Sequence, residues 1–193
     1  MTTESRVQLT RSEKKEKQAI VQPATTVATQ GKREIYYAPE SAFQTVEPFI
    51  KDFKSLWDPA SGPSENYPLK DYFESKGHRV ICSDILMGKE LDFFTHKTKK
   101  RYDMIVTTPP YSMRKEFIMR ALELRKPFAL LVPLNVLESK TIRDSFQQNG
   151  VSVIFPEKVV NFISPEDSRS VKSLPYSVWV IAGIPKLPPV VYL

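Results

Sequence analysis

The chain has 193 residues, of which 41% are hydrophobic, and its formal net charge is +6 with a sequence pI near 9.3. This suits one domain with a packed core; the single cysteine, Cys82, excludes an internal disulfide, and no Cys/His cluster at metal-ligand spacing predicts a metal site. No apolar run approaches the roughly 20 residues that span a bilayer, and the charged N-terminus lacks the apolar segment of a signal peptide, so we expect a soluble, intracellular protein without membrane contact.

Short apolar runs and segments of helical spacing alternate along most of the chain. Residues 1–33 lack apolar periodicity and predict a disordered polar tail, which leaves 34–193 as a single domain. Helices are predicted from Pro39 onward and at 69–76, 113–124 and 136–148. Strands are predicted at Ser55–Asp58, 79–84, 102–107, 128–132, 151–155 and 176–182. This alternation predicts an α/β fold with a doubly wound, mostly parallel sheet.

Two features follow the first two strands, where open parallel sheets bind ligands. The small residues around Gly62 form a turn that lets a ligand approach the backbone closely. Asp84 ends the next strand, about 20 residues later, where a carboxylate can accept both hydrogen bonds from a ribose diol. An ordinary turn and a surface aspartate are the alternative interpretation.

The most distinctive segment is Thr108-Pro109-Pro110-Tyr111, which directly follows the predicted strand 102–107. The two prolines fix φ, remove two backbone donors and favour an extended Thr108. The segment is therefore predicted to be a rigid turn with free carbonyl oxygens, followed by an aromatic ring that can stack on a planar ligand. A stiff loop with a half-buried tyrosine is the structural alternative.

The run 103–112 resembles the strand and catalytic loop of S-adenosylmethionine-dependent amino-methyltransferases, chiefly the N6-adenine enzymes. Other segments are similar to motifs of that family in the same order. By this resemblance Tyr37 closes over the methionine end of the cofactor, Asp58 and Gly62 belong to the cofactor motif, Asp84 holds the ribose, Asp92 and Phe93 lie near the cofactor adenine, and Phe162 contacts the target base.

The resemblance implies a Rossmann-like methyltransferase fold with an antiparallel last strand, S-adenosylmethionine as cofactor, and methyl transfer to the N6 amino group of adenine in DNA or RNA. Thr108 and the Pro109 carbonyl would bond the amino hydrogens, Pro110 would complete the rigid catalytic turn, and Tyr111 and Phe162 would stack the base. Basic clusters at 97–101, 114–115 and 125–126 agree with a polyanionic partner.

Two positions depart from the family pattern. The family has Asn, Asp or Ser where this chain has Thr108, and a second glycine where this chain has Ser64, preceded by Pro63. These departures keep an alternative open: an inactive methyltransferase-fold protein that binds nucleic acid or an active partner, in a hetero-oligomer with another methyltransferase-like subunit. A plain protein-interaction module is the third hypothesis.

Overall fold

The structure is a computed structural model, which describes residues 36–63, 67–163, 170–171 and 175–193. The described residues belong to one compact unit, Glu34–Leu193. The predicted tail at 1–33 and the departure at Ser64 lie outside the described residues.

One mixed sheet of seven strands forms the centre of this unit. Its strands are β1 (Ser55–Asp58), β2 (Arg79–Cys82), β3 (Met104–Thr107), β4 (Phe128–Pro133), β5 (Ser152–Phe155), β8 (Ser177–Ala182) and β9 (Val190–Tyr192). They lie in the order β2-β1-β3-β4-β8-β5-β9. Neighbouring strands are parallel except that β8 runs antiparallel to both β4 and β5. A separate hairpin joins β6 (Phe162–Ile163) to β7 (Ser170–Val171).

The described residues form four α-helices, of which the first precedes β1 and the others connect strands. They are α1 (Glu40–Ile50), α2 (Pro68–Ser75), α3 (Arg114–Glu123) and α4 (Lys140–Asn149). Short 3-10 segments occur at Lys89–Leu91, Tyr111–Met113 and Leu134–Glu138. Helix α4 ends where the sequence indicates, because Gly150 adopts φ +61° and so supplies the left-handed residue that follows many helices.

The sheet is buried on both faces, as the continuous apolar strands predict. Along β1, Leu56 packs against the face that carries α1 and α2, whereas Trp57 packs against the face that carries α3 and α4. The same alternation occurs in β3 at Met104 and Ile105. The predicted doubly wound sheet is therefore confirmed, and its antiparallel strand is the predicted 176–182.

The structure differs from the predicted elements in three places. The predicted helix 136–148 is divided, because Ser139 is extended (φ −73°, ψ 118°) between a 3-10 segment and α4. The predicted strand 79–84 ends at Cys82, which leaves Asp84 in the following loop. The strands β6, β7 and β9 have only two or three residues each, too few for an apolar alternation to indicate them.

Candidate active site

The loops that follow β1, β2 and β3 meet at the carboxyl edge of the sheet. Strand β1 lies between β2 and β3, so Asp58, Asp84 and Thr108 follow three adjacent strands. Backbone bonds continue beyond the strands, from Ser83 N to Asp58 O (2.9 Å) and from Ser61 N to Ser83 O (3.3 Å). These bonds hold the first two loops side by side.

Asp84 and Gly62 are directly hydrogen-bonded. Gly62 N donates to Asp84 Oδ2 (2.9 Å), and Leu86 N donates to Asp84 Oδ1 (2.8 Å). A carboxylate offers about four acceptor sites, so among the described residues each oxygen of Asp84 keeps one site for a ligand. Gly62 adopts φ +81°, a conformation that side chains disfavour. The predicted turn and carboxylate therefore form one unit, with the backbone positioning the carboxylate.

Tyr37 lies over this unit. A β-carbon built on Gly62 would lie 3.8 Å from both Cε1 and Oη of Tyr37. The backbone of Tyr37 is held by two bonds with Ile163, N to O at 2.9 Å and O to N at 2.8 Å. Tyr37 thus lies beside the Gly62 turn and is bonded to the residue that follows Phe162.

Asp58 is buried beneath the loops. Its Oδ1 accepts hydrogen bonds from Thr107 Oγ1 (2.5 Å) and Ala60 N (3.2 Å). The pKa of Asp58 is raised to about 7, chiefly by burial; the two hydrogen bonds oppose this rise, and the charge of Asp84 adds to it. Because Thr107 directly precedes the diproline turn, Asp58 connects the loop after β1 to that turn.

The diproline turn leaves β3 and leads into the 3-10 segment Tyr111–Met113. Pro109 is buried, whereas Thr108 and Pro110 are half-buried. Within the described part of the chain, the Thr108 hydroxyl has no hydrogen-bond partner. An acceptor at the start of the turn is therefore available to a ligand.

Tyr111 and Phe162, predicted to stack a base, contact each other. Their rings meet edge-on, with centroids 5.5 Å apart and planes at 84°. Phe162 is only 2% exposed, and the Tyr111 hydroxyl forms a short hydrogen bond with Ser177 Oγ. Burial raises the pKa of Tyr111 to about 12, so the phenol stays protonated at neutral pH. A base could enter between these rings only after they separate.

Asp92 and Phe93 have different surroundings. Asp92 is 8% exposed, and its Oδ1 accepts a hydrogen bond from Phe94 N (3.0 Å). The Phe93 ring is stacked on Phe117 (centroids 4.8 Å apart) and meets Trp57 edge-on. Since Phe93 is 2% exposed, its ring belongs to the core in this structure.

Two features of the site are not among the sequence-predicted residues. Arg114 Nη1 donates to the Tyr111 carbonyl (2.6 Å), and its buried Nε has no partner among the described residues. The available sequence signal for Arg114 was a basic residue at the first position of a helix, because that end of a helix favours anions. Three consecutive exposed apolar side chains, Ile85, Leu86 and Met87, directly follow Asp84. They offer an apolar surface beside the carboxylate.

A cavity of roughly 480 Å³ lies further along the same edge. Its lining residues are Leu134, Asn135, Leu137, Glu138, Pro175 and Tyr176. Leu134 N donates to Tyr176 O (2.7 Å), and the next residue, Ser177, contacts Tyr111. The cavity therefore lies next to Ser177, which contacts the diproline turn, and its lining residues include neither Gly62 nor Asp84.

Over the residues described, no group of three or more His, Cys, Asp or Glu could hold a metal ion. None of the described helices is long and apolar enough to cross a membrane.

No protein-family model and no curated protein matches this sequence. A candidate class I S-adenosylmethionine-dependent methyltransferase from Listeria monocytogenes superposes with a TM-score of 0.53 at 15% identity, over 86% of this chain and 68% of that chain. A candidate RNA methyltransferase from Pyrococcus horikoshii has a TM-score of 0.49 at 12% identity, over 81% of this chain and 91% of that chain. The likeness to the Listeria structure shows the fold, which is the predicted Rossmann-like methyltransferase fold.

Proposed function

We propose that this chain is an S-adenosylmethionine-dependent methyltransferase that acts on the N6 amino group of adenine in nucleic acid. The observation that carries this proposal is the juxtaposition of the Gly62–Asp84 unit with the diproline turn on adjacent loops. The Gly62–Asp84 unit suits the ribose of a nucleoside cofactor, and the diproline turn suits the amino group of a planar base. The fold shared with the Listeria protein supports the proposal, because that protein is described as a methyltransferase of this cofactor class.

The residues of the carboxyl edge fit the proposed cofactor. The free acceptor sites of Asp84 would bind the ribose hydroxyls, and the apolar surface at 85–87 would cover part of the adenine ring. Asp92 would accept a hydrogen bond from the adenine amino group of the cofactor, and Tyr37 would close over its methionine end above Gly62. The negative charge of the buried Asp58 would be offset by the positive charge at the methionine end of the cofactor. When bound, the cofactor supplies an electrophilic methyl group on a sulfonium.

Catalysis would rest on positioning and on hydrogen-bond acceptors. The Thr108 hydroxyl and the Pro109 carbonyl would accept hydrogen bonds from the two N6 hydrogens. These bonds would favour a nitrogen lone pair directed at the methyl group. Thr108 and Pro109 would hold the N6 nitrogen in line with the methyl group that the bound cofactor would supply as it leaves sulfur, and one N6 proton would pass to solvent. Tyr111 and Phe162 would hold the base, which must be flipped out or already unpaired.

The alternative, an inactive relative that binds nucleic acid or an active methyltransferase-like subunit, is favoured by one observation. The rings of Tyr111 and Phe162 contact each other, so the space for a base is closed in this structure. Measured methyl transfer would exclude this alternative.

Isothermal titration with S-adenosylmethionine tests the cofactor site. We expect Asp84→Asn to weaken cofactor affinity at least tenfold, because charged hydrogen bonds contribute about 1.5–3 kcal/mol each. Asp103→Asn is the matched control, since Asp103 also accepts a backbone N–H, from Ser55 (2.9 Å), but at the amino end of the strands. No binding by the wild-type protein, or equal losses in both variants, would contradict the site.

Thr108→Asn is expected to raise the rate of N6 methylation about tenfold. An amide oxygen accepts a hydrogen bond more strongly than a hydroxyl, and about 1.4 kcal/mol of added transition-state stabilisation gives this factor. Mass spectrometry of digested oligonucleotide measures the rate. Thr108→Val keeps the side-chain shape without the acceptor and should lower the rate. If neither variant changes it, Thr108 does not contact the amine.

A further inference from the structure

The basic clusters seen in the sequence lie at opposite ends of the sheet. Arg114 and Lys115 begin α3, beside the diproline turn. By contrast, Lys54, Arg79, Arg101 and Lys126 precede or begin strands β1, β2, β3 and β4. We call these four residues the basic edge. They lie at the amino ends of the strands, away from the candidate active site.

Backbone and side-chain contacts place the basic edge in one row. Arg79 N donates to Lys54 O (2.9 Å), and Arg79 Nη2 donates to Arg101 O (2.5 Å). Next to Lys126, Pro127 O accepts from Ile105 N in β3 (2.9 Å). Since β2, β1, β3 and β4 are adjacent, the row extends over three strand spacings, about 14 Å.

The positive charge of this row is not neutralised by ion pairs. All four side chains are exposed, and within the described ranges no carboxylate lies within 4 Å of their charged atoms. The nearest acidic residues in the chain are Asp52 and Asp103. Asp103 accepts hydrogen bonds from Ser55 N and Oγ, which lower its pKa, and the charge of Lys126 lowers it further, so Asp103 offsets part of the charge of the row. The row therefore presents excess positive charge to solvent.

Helix dipoles do not account for the basic edge. The helices run back across the sheet, so α1, α2 and α3 end near the same edge, and cations there are favourable. Lys51, Lys76 and Arg125 follow those helix ends and fit this explanation. In the basic edge, Lys54, Arg79 and Lys126 lie three or four residues beyond these helix ends, where the effect of the dipole has fallen off. Arg101 follows none of the described α-helices.

We propose that the basic edge is a second nucleic-acid contact that binds the phosphate backbone of a long substrate. The proposal rests on the proposed function for the choice of a polynucleotide. A row of about 14 Å matches about four phosphates at 3.4 Å of rise per nucleotide. The edge lacks the large apolar side chains that interfacial membrane binding needs, because the described exposed ones, such as Leu86 and Tyr192, lie elsewhere.

The two contact regions are separated by the length of the strands. Strands of four to six residues place the basic edge about 13–20 Å from the carboxyl edge. With its target adenine at the centre, a six-nucleotide strand extends only about three nucleotides, or about 10 Å at 3.4 Å per nucleotide, to either side of the active site, which is less than this separation. A substrate of about 30 nucleotides can contact both, so the basic edge should increase affinity only for long substrates.

The test compares a 6-nucleotide and a 30-nucleotide adenine-containing strand by fluorescence anisotropy at several salt concentrations. In the variant with Lys54→Gln, Arg79→Gln, Arg101→Gln and Lys126→Gln, affinity for the long strand should fall at least tenfold. The slope of log affinity against log salt should become shallower by about 3, as expected for four lost phosphate contacts. Affinity for the short strand and for S-adenosylmethionine should stay within twofold.

The control keeps the charges and changes the side chains: Lys54→Arg, Arg79→Lys, Arg101→Lys and Lys126→Arg. It should bind the long strand like wild type. Three results would overturn the proposal. One is an unchanged salt slope in the neutralised variant, and another is an equal loss of affinity for both strand lengths. The third is binding of the wild-type protein to 1:1 phosphatidylcholine–phosphatidylserine vesicles but not to the long strand. If the long strand binds through the basic edge but no methyl group is transferred, the proposed activity fails while the second contact stands.

Discussion

Tyr111→Ala is expected to lower the rate of N6-adenine methylation at least a hundredfold while cofactor affinity changes less than threefold. Stacking on an aromatic ring is worth about 1–3 kcal/mol per base, and the variant loses this contact together with the bond to Ser177 that orients the turn. The Asp84 carboxylate and the Gly62 turn are not in contact with this ring. Single-turnover methylation with saturating cofactor, alongside titration calorimetry, separates the two effects.

Tyr111→Phe provides the control. It keeps the ring against Phe162 and removes only the hydroxyl, so we expect a rate within about tenfold of wild type. Equal rates for Tyr111→Ala and wild type would place the chemistry elsewhere. Equal losses of rate and of cofactor affinity would indicate that Tyr111 supports the fold rather than the base.

Asp58→Asn is expected to stabilise the fold at high pH. The pKa of Asp58 is about 7 in the folded chain and about 3.9 when unfolded, so the folded state holds a proton that the unfolded state releases. The wild-type free energy of unfolding should therefore fall as pH rises from 4 to 7 and stay constant above 7. Asparagine does not ionise, and its side-chain oxygen can still accept from Thr107 and Ala60.

Urea denaturation of both proteins at pH 5 and pH 8 measures this effect. The stability of Asp58→Asn relative to wild type should increase by about 3 kcal/mol between these two values, since each pKa unit corresponds to 1.36 kcal/mol. Asp103→Asn should instead show a constant difference from wild type over this range, because hydrogen bonds from Ser55 lower the pKa of Asp103, so its carboxylate is ionised in both the folded and the unfolded chain at pH 5 and above. A constant difference for Asp58→Asn would mean that its carboxyl is ionised at neutral pH.

The sequence predicts the sheet, and the placement of Asp58, Asp84 and the diproline turn at one edge of it, because both depend on local patterns. Apolar runs mark β1, β3 and β4, and their length fixes where Asp58 and the diproline turn emerge. Parallel pairing then brings Asp84 to the same edge. The hydrogen bond between Gly62 N and Asp84 Oδ2 follows from this placement. The roles of these residues in binding and catalysis stay predictions.

Other features depend on contacts between distant residues, which no local pattern reveals. The bonds between Tyr37 and Ile163, and between Tyr111 and Ser177, join segments far apart in the chain. Phe93 follows an aspartate in a loop, yet its ring lies in the core because Trp57 and Phe117 surround it. The sequence does not indicate on which edge each basic cluster lies, whereas the direction of the strands places Arg101 and Arg114 at opposite edges.

The closed contact between Tyr111 and Phe162 bears on how such a protein could exclude free adenine nucleotides, which are abundant in cells, as substrates. A planar ring must first part the two side chains, and this costs free energy before any stacking is gained. A mononucleotide brings few other interactions to offset that cost, whereas a polymer can offset it through its backbone. Discrimination between monomer and polymer would then arise from the closed resting state itself, without any group that recognises chain length.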